Sequence, residues 1–258
     1  MLKNVVTTIV SNKAIANRIY ELVLQSDEAD LVHFVPGQFA NIDIPNRSDL
    51  LLKRPISINK VDVEQGLITL VYQPVGQGTQ ALLSAQPGEK IKSILPIGRG
   101  FNLKASDKTV FLVGGGVGIA PLLPVTKKWP DRDYHAFLGY RSKDCTYCSK
   151  DFQAVSDKTY ISSDDGTVGI KGFVTDSLSD CLLEVTPDVV LSCGPGPMLK
   201  SLKAAVGNIP TQVSLEQRMC CGFGACAVCV CAINNGAGLD YKKACIEGPV
   251  FDLNEVVL

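Results

Sequence analysis

Hydrophobic and polar residues alternate with a period of two in short runs through the first hundred positions: Val5–Val10, Ile19–Leu24, Phe39–Ile44, Ile56–Asn59, Leu67–Tyr72 and Lys90–Leu95. That period turns one face of each run toward a core and the other toward water, so it predicts antiparallel β-strands. Pro36-Gly37, Pro45-Asn46 and Pro87-Gly88 stand where the chain has to reverse. Short strands have edges to hide, and closure into a small barrel or sandwich hides them.

After a polar link at Lys104–Lys108 the pattern changes. Apolar runs recur at Val110–Val113, Ala136–Leu138, Tyr160–Ser162, Val189–Ser192 and Gln212–Leu215. The segments between them, such as Ala120–Trp129 and Met198–Val206, are long enough for crossover helices, which predicts a parallel, doubly wound sheet. From Glu216 onward Cys and Gly dominate and bulky apolar residues are few. Such a tail is expected to take its stability from a metal core rather than from packing. Three units are expected: a β-barrel over 1–103, an α/β unit over 104–215 and a cysteine-rich unit over 216–258.

Composition narrows the partners. The 258 residues are 46% apolar and 20% charged, with a net charge of -1 and no long run of either sign. That balance favours neither nucleic acid nor a membrane surface, and leaves small molecules or proteins as partners. Met1–Val10 lacks the continuous apolar core of a signal peptide, so a cytoplasmic location is expected. The most apolar stretch, Val110–Val125, is broken by Gly114, Gly115, Gly116, Gly118 and two prolines, and falls short of a membrane span.

Half of the ten cysteines lie between Cys220 and Cys231. Cys221, Cys226, Cys229 and Cys245 give C-x4-C-x2-C…C, the plant-type [2Fe–2S] spacing. Gly222, Gly224 and Ala225 let backbone N–H groups approach the sulfurs and offset their negative charge. A zinc knuckle would prefer two C-x2-C pairs, and a set of free buried thiols would leave the glycines unexplained; both stand as alternatives. Cys220 and Cys231 are surplus thiols read as packing residues beside the centre. Cys145 and Cys148 read as two thiols in a solvated loop, and Cys181 and Cys193 as small core or near-site residues.

Arg54-Pro55-Ile56-Ser57 opens one strand, Val71-Tyr72-Gln73 closes another, and Gly76-x-Gly78-Thr79 follows. An Arg and a Gly-Thr turn suit a pyrophosphate, while a strand Ser and Tyr offer hydrogen bonds and an aromatic face to a flavin. An ordinary edge strand and turn is the plain alternative. Val110–Val113 runs into Gly114-Gly115-Gly116-Val117-Gly118-Ile119-Ala120-Pro121, a glycine turn that opens a helix and suits a phosphate. It is not a true G-x-G-x-x-G, and no acidic residue stands at the end of the second strand. Cys193-Gly194-Pro195-Gly196-Pro197-Met198 supplies a second such turn after a later strand.

The order of these motifs, closing with CCGFGACAVC, resembles the ferredoxin–NADP reductase superfamily. Leu215-Glu216-Gln217-Arg218-Met219 ahead of the cysteines, with Cys245-Ile246-Glu247-Gly248-Pro249-Val250-Phe251 after them, is similar to the electron-transfer subunits of NAD-dependent dihydroorotate dehydrogenases. The resemblance implies FAD held by Arg54, Pro55, Ile56 and Ser57, by Val71, Tyr72 and Gln73, and by Gly78 and Thr79, with Ser57 near the flavin's reactive edge. It implies NAD+ or NADH bordered by Gly114, Gly115, Gly116 and Gly118 and by Cys193, Gly194, Pro195 and Met198. It also implies a [2Fe–2S] cluster on Cys221, Cys226, Cys229 and Cys245.

The three units would then be an FAD-binding barrel, an NAD-binding sheet and a cluster domain. The partner implied is a separate FMN-containing catalytic subunit that oxidises dihydroorotate to orotate in pyrimidine biosynthesis, two copies of each forming a heterotetramer. Electrons would pass from FMN through [2Fe–2S] and FAD to NAD+. No side chain is assigned as acid, base or nucleophile, because hydride transfer needs positioning more than proton chemistry. Two rival expectations remain. One is the small subunit of a ferredoxin-dependent NADP oxidoreductase, in which Arg141, Ser142 and Lys143 would grip a 2′-phosphate that Asp144 opposes. The other is a non-enzymatic zinc-binding scaffold.

Overall fold

The computed structural model describes residues 4–27, 29–234, 236 and 238–258. Residues 1–3 of the amino-terminal reading and of the expected barrel, residue 28, and residues 235 and 237 of the expected cluster unit lie outside them.

The alternating runs become β1 (Asn4–Ala16), β2 (Ile19–Gln25), β3 (Phe39–Ile42), β4 (Arg54–Asp62), β5 (Leu67–Tyr72) and β6 (Lys90–Ile97), which form a closed barrel in the order β1-β2-β5-β4-β3-β6. Every pairing in it is antiparallel. Leu22, Leu24, Ile58, Ile68 and Leu70 fill its interior with no exposed surface. A short helix, α1 (Gln77–Ala81), follows β5. On β3 the alternation is functional: Ala40 and Ile42 turn into the barrel core, while Phe39 turns outward into a core shared with the C-terminal segment.

The second unit is built on β7 (Thr109–Gly115), β8 (Asp133–Tyr140), β9 (Lys158–Ser163), β10 (Ile170–Lys171), β11 (Val189–Cys193) and β12 (Thr211–Ser214), all in parallel register. Its helices are α2 (Leu123–Lys128), α3 (Ser149–Val155), α4 (Val174–Leu182) and α5 (Gly196–Val206). The helix expected from Ala120 starts later, because Gly116–Leu122 winds as a 3-10 segment before α2. Pro121 and Pro124 have no N–H to continue an α-helical ladder there. From β7 the chain proceeds to β8 and β9 on one side and to β11 and β12 on the other. The crevice between β7 and β11 is therefore a topological switch point.

The C-terminal segment forms a hairpin, β13 (Val230–Asn234) with β14 (Leu239–Lys243), and then β15 (Val250–Asp252). β15 joins the large sheet antiparallel to β12. This corrects the expectation that packing contributes little to the tail. Met219, Cys231, Ile233, Phe251, Leu253 and Val256 are buried in one core with Phe111 and Phe137 of the sheet and Phe39 of the barrel. The barrel is fastened to the sheet by Asn59, whose Nδ2 donates to the Ala120 carbonyl at 2.8 Å, and by a Lys60–Asp151 ion pair of 3.2 Å.

Candidate functional site

A cleft of ≈ 530 Å³ opens where the barrel, the turn after β7 and the C-terminal segment meet. That size suits a small-molecule cofactor. Pro55, Ile56 and Ser57 of β4 line it, together with Val71, Tyr72 and Gln73 at the end of β5 and Thr79 of α1. Register explains the grouping: Ser57 lies beside Phe39 and Pro55 beside Asn41, so neighbouring strands show one outer face.

Arg54 and Gly78 make a single unit. A Cβ on Gly78 would fall inside the Arg54 guanidinium, so only glycine lets that group lie flat on α1. Arg54 Nη1 is buried without a hydrogen-bond partner. An unpaired buried guanidinium nitrogen is costly. A phosphate would satisfy it with the fork geometry that arginine provides. Thr79 shapes the loop instead of projecting from it, since its Oγ1 accepts the N–H groups of Val75 at 3.1 Å and Gly76 at 3.2 Å. Tyr72 donates its hydroxyl to Asn12 Oδ1 at 3.0 Å and stacks on Tyr20. Burial pushes that phenol up to about 12, against the Asn12 hydrogen bond. The ring stays neutral.

The two glycine turns lie side by side at the carboxyl edge of the sheet, with Cys193 in register with Gly114. A Cβ on Gly115 would stand 2.6 Å from Met198 Sδ and 3.2 Å from Pro195 Cδ, and one on Gly118 would collide with the Cys193 carbonyl. One on Gly194 would meet Met198 in turn, and one on Gly114 would stand 2.8 Å from Ile119. Gly116 has φ +55°, a conformation that favours glycine. These glycines let two turns approach each other at the switch point. Burial pushes the Cys193 thiol up to about 12, and nearby Glu216 adds to that. Glu216 faces the open cleft, yet the protein walls around it desolvate its carboxyl enough to raise it.

The cysteine loop brings its thiols together in pairs. Cys226 Sγ lies 3.3 Å from Cys221 Sγ, and the Cys226 N–H donates to Cys221 Sγ at 3.4 Å. Burial pushes the Cys221 thiol up, but the N–H groups of Cys226 and Phe223, the Cys226 thiol and the N–H of Ala225 outweigh it and hold Cys221 at about 6. The loop is a ready cradle for a sulfur anion. Cys229 and Cys245 form the second pair: burial and then the Cys229 thiol push Cys245 up to about 12, against the Gly224 N–H. Lys243 Nζ donates to the Gly224 carbonyl at 2.7 Å and the Ala244 N–H to the Cys229 carbonyl at 2.8 Å, which binds the closing segment to the loop.

Among the described residues no three His, Cys, Asp or Glu side chains are gathered as for one metal ion. Two thiol pairs, all-sulfur donors and backbone N–H groups aimed at Cys221 fit a two-iron centre. Cys220 adjoins Cys226 and Cys221, and Cys231 adjoins Cys229 with its thiol pushed up to about 11 by burial. Cys220 thus reaches the first pair through a side-chain hydrogen bond with Cys226. Cys145 and Cys148 are not the solvated thiols expected: both are half-buried, and burial pushes Cys148 up to about 12 beside Asn59 of the barrel.

Sequence reasoning assigned no role to Phe39, Val75, Val117 or Ser214–Met219, all of which line the cleft, nor to Asn41. The signal for Asn41 was present as a lone amide inside the otherwise apolar strand Phe39–Ile42.

A family model described as the iron–sulfur cluster binding domain of dihydroorotate dehydrogenase B matches residues 216–257, and one described as an oxidoreductase NAD-binding domain matches residues 112–204. The electron transfer subunit of dihydroorotate dehydrogenase B (NAD(+)) from Bacillus pumilus (strain SAFR-032) is 40% identical over 261 residues, covering 100% of this chain and 99% of that one. The structure of an NADH-dependent reduced ferredoxin–NADP oxidoreductase superposes with a TM-score of 0.86 at 31% identity, over 97% of this chain and 89% of that chain. Phthalate dioxygenase reductase, whose structure is described as modular for electron transfer from pyridine nucleotides to [2Fe–2S], shares the fold at a TM-score of 0.67 and 19% identity, over 93% and 77% of the two chains.

Proposed function

This chain belongs to the family of dihydroorotate dehydrogenase B (NAD(+)) electron transfer subunits, and from that membership we propose which residues hold each redox group and how the chain meets its partner. It is an oxidoreductase subunit of pyrimidine biosynthesis that works with FAD, a [2Fe–2S] cluster and NAD. When bound, nicotinamide exchanges a hydride, the cluster one electron and the flavin either, so the flavin stands between the other two.

Arg54 grips the FAD pyrophosphate, with Gly78 giving its guanidinium room and Thr79 shaping the loop beside it. Pro55, Ile56 and Ser57, with Val71, Tyr72 and Gln73, present the barrel wall to the flavin ring. Gly114, Gly115, Gly116 and Gly118, with Cys193, Gly194, Pro195 and Met198, admit the nucleotide at the switch point. Asp144 is held ionised by hydrogen bonds from Ser142 and Asn17, an anion beside Arg141 and Lys143 that supports NAD over NADP. Cys221, Cys226, Cys229 and Cys245 would hold the cluster through their thiolates.

The observation that carries this reading is a shared wall. Ala244 and Met219 line the cleft, and the cysteines Cys245 and Cys220 follow them directly in the chain. The domain limits 1–103, 104–215 and 216–258 fit it, with β15 as the strand by which the third part grips the second.

The partner is an FMN-containing catalytic subunit that oxidises dihydroorotate, two of each chain assembling together, with electrons passing from FMN through [2Fe–2S] and FAD to NAD+. Dihydroorotate gives up two electrons and two protons for each hydride gained by NAD+, so one proton goes to solvent. Phe223, Val228 and Ile246 stand exposed around the cysteine loop and suit a docking face. A cytoplasmic location is part of the same proposal, since a reducing compartment keeps thiols available to hold a cluster. Among the described residues no helix is long and apolar enough to cross a membrane.

Anaerobic purification with the partner tests the reading. FAD, iron and labile sulfide are expected in the complex, with reduction of NAD+ by dihydroorotate that depends on both chains. Absence of iron and sulfide, or a strong preference for NADPH, would overturn it.

A further inference from the structure

Asn41 has no exposed surface, and neither Nδ2 nor Oδ1 of its amide has a hydrogen-bond partner. It stands on the outer face of β3, since Ala40 and Ile42 on either side of it belong to the barrel core. In register it lies beside Pro55, and two positions along the same face is Phe39; both line the cleft. On its other side Nδ2 lies 2.6 Å from the point where a Cβ on Gly222 would stand. Gly222 is buried, has φ +75° and follows Cys221 directly. The barrel therefore meets the cysteine loop through an amide, beside the residue that follows Cys221 and next to strand positions that line the cleft.

A buried amide is destabilising unless it is bonded, and a leucine of similar size would give this contact a wholly apolar surface. The choice of an amide calls for an acceptor at the cysteine loop, and the sulfur anions of a [2Fe–2S] centre are acceptors whose charge N–H donors offset. We propose that Asn41 is a positioning residue for the iron–sulfur centre, its Nδ2–H donating to sulfur at the Cys221 end and raising the reduction potential of the centre. The inference rests on the cluster reading above. Its sign follows from charge: reduction adds an electron to an anionic centre, so a donor stabilises the reduced form more than the oxidised one.

The test is an EPR-monitored redox titration of the anaerobically purified chain, wild type against Asn41→Leu and Asn41→Asp, with iron, labile sulfide and FAD measured on the same samples. Both loaded variants are expected to have lower cluster potentials and an unchanged flavin potential. For Asn41→Leu the expected change is about tenfold in the equilibrium ratio, ~59 mV for a one-electron couple. Asn41→Asp is expected to fall further, because its carboxylate adds negative charge. Unchanged cluster potentials in loaded variants would overturn the assignment. Should the variants fail to take up iron, pulsed EPR of wild-type protein made with side-chain 15N-asparagine decides. A nitrogen coupling at the reduced centre supports the assignment and its absence overturns it. Wild-type protein free of iron and sulfide would overturn the cluster reading itself, and this assignment with it.

Discussion

Arg54 and Gly78 are intelligible only beside each other: the guanidinium lies where any side chain on residue 78 would stand, and its buried Nη1 has no hydrogen-bond partner. In Gly78→Ala the long Arg54 side chain can swing away, so the fold survives while the pyrophosphate contact is lost. Hydrogen bonds to charged groups contribute about 1.5–3 kcal/mol, so FAD affinity is expected to fall roughly 10- to 100-fold with little change in thermal midpoint. Equilibrium dialysis followed by flavin absorbance measures this, and undiminished retention would remove Arg54 from the FAD site. At this scale the sequence was legible where chemistry is encoded by spacing. The spacing of Cys221, Cys226, Cys229 and Cys245 already picks out the thiols we propose as ligands, because an iron–sulfur ligand set is local in the chain apart from its last member. That Gly78 serves by making room for Arg54 was not legible, because that guanidinium comes from β4, distant in the chain from α1. Asn41 was equally hidden, because one polar residue in a strand becomes informative only when its neighbours across space are known.

Periodicity made the individual strands readable, but not which strand completes which sheet. Val250–Asp252 carries too few residues to show a pattern, yet it pairs with β12 and sets Phe251 into the common core. Gly248 is required there, since a Cβ on it would enter the Phe251 ring. The same turn presents Cys245 to the loop, through the Ala244 N–H and Lys243. β15 thus links sheet stability to iron retention. Phe251→Ala removes a buried aromatic ring, a change that costs about 3–5 kcal/mol. The expected outcome is a lower thermal midpoint for the whole chain together with faster loss of iron to a chelator, measured by calorimetry and by visible absorbance. A lowered midpoint with unchanged iron retention would show that the closing turn holds Cys245 without help from β15.

For the molecule as a whole, the arrangement follows from the need to pass single electrons between groups that never leave the protein. The cleft is walled by all three parts, while the cysteine loop reaches the surface. Phe223 is 54% exposed, Val228 49% and Ile246 40%, and each belongs to the segments that carry the four paired cysteines. Single exposed apolar side chains are commonplace, but three around one redox loop make a patch that a partner would cover. An electron arriving from a separate subunit must enter near the iron, so the docking face and the cysteine loop should coincide. Phe223→Glu combined with Ile246→Glu places two charges in that contact without touching a thiol. FAD, iron and labile sulfide content are expected to stay at wild-type levels, while affinity for the catalytic subunit falls at least tenfold, about 1.4 kcal/mol. Dihydroorotate-dependent reduction of NAD+ should fall in parallel, and NADH oxidation by an artificial acceptor at the flavin should not. Gel filtration of the mixed subunits reads the first effect and steady-state assays the second. Undiminished association in the double variant would place the docking face elsewhere and require a longer path for the electron.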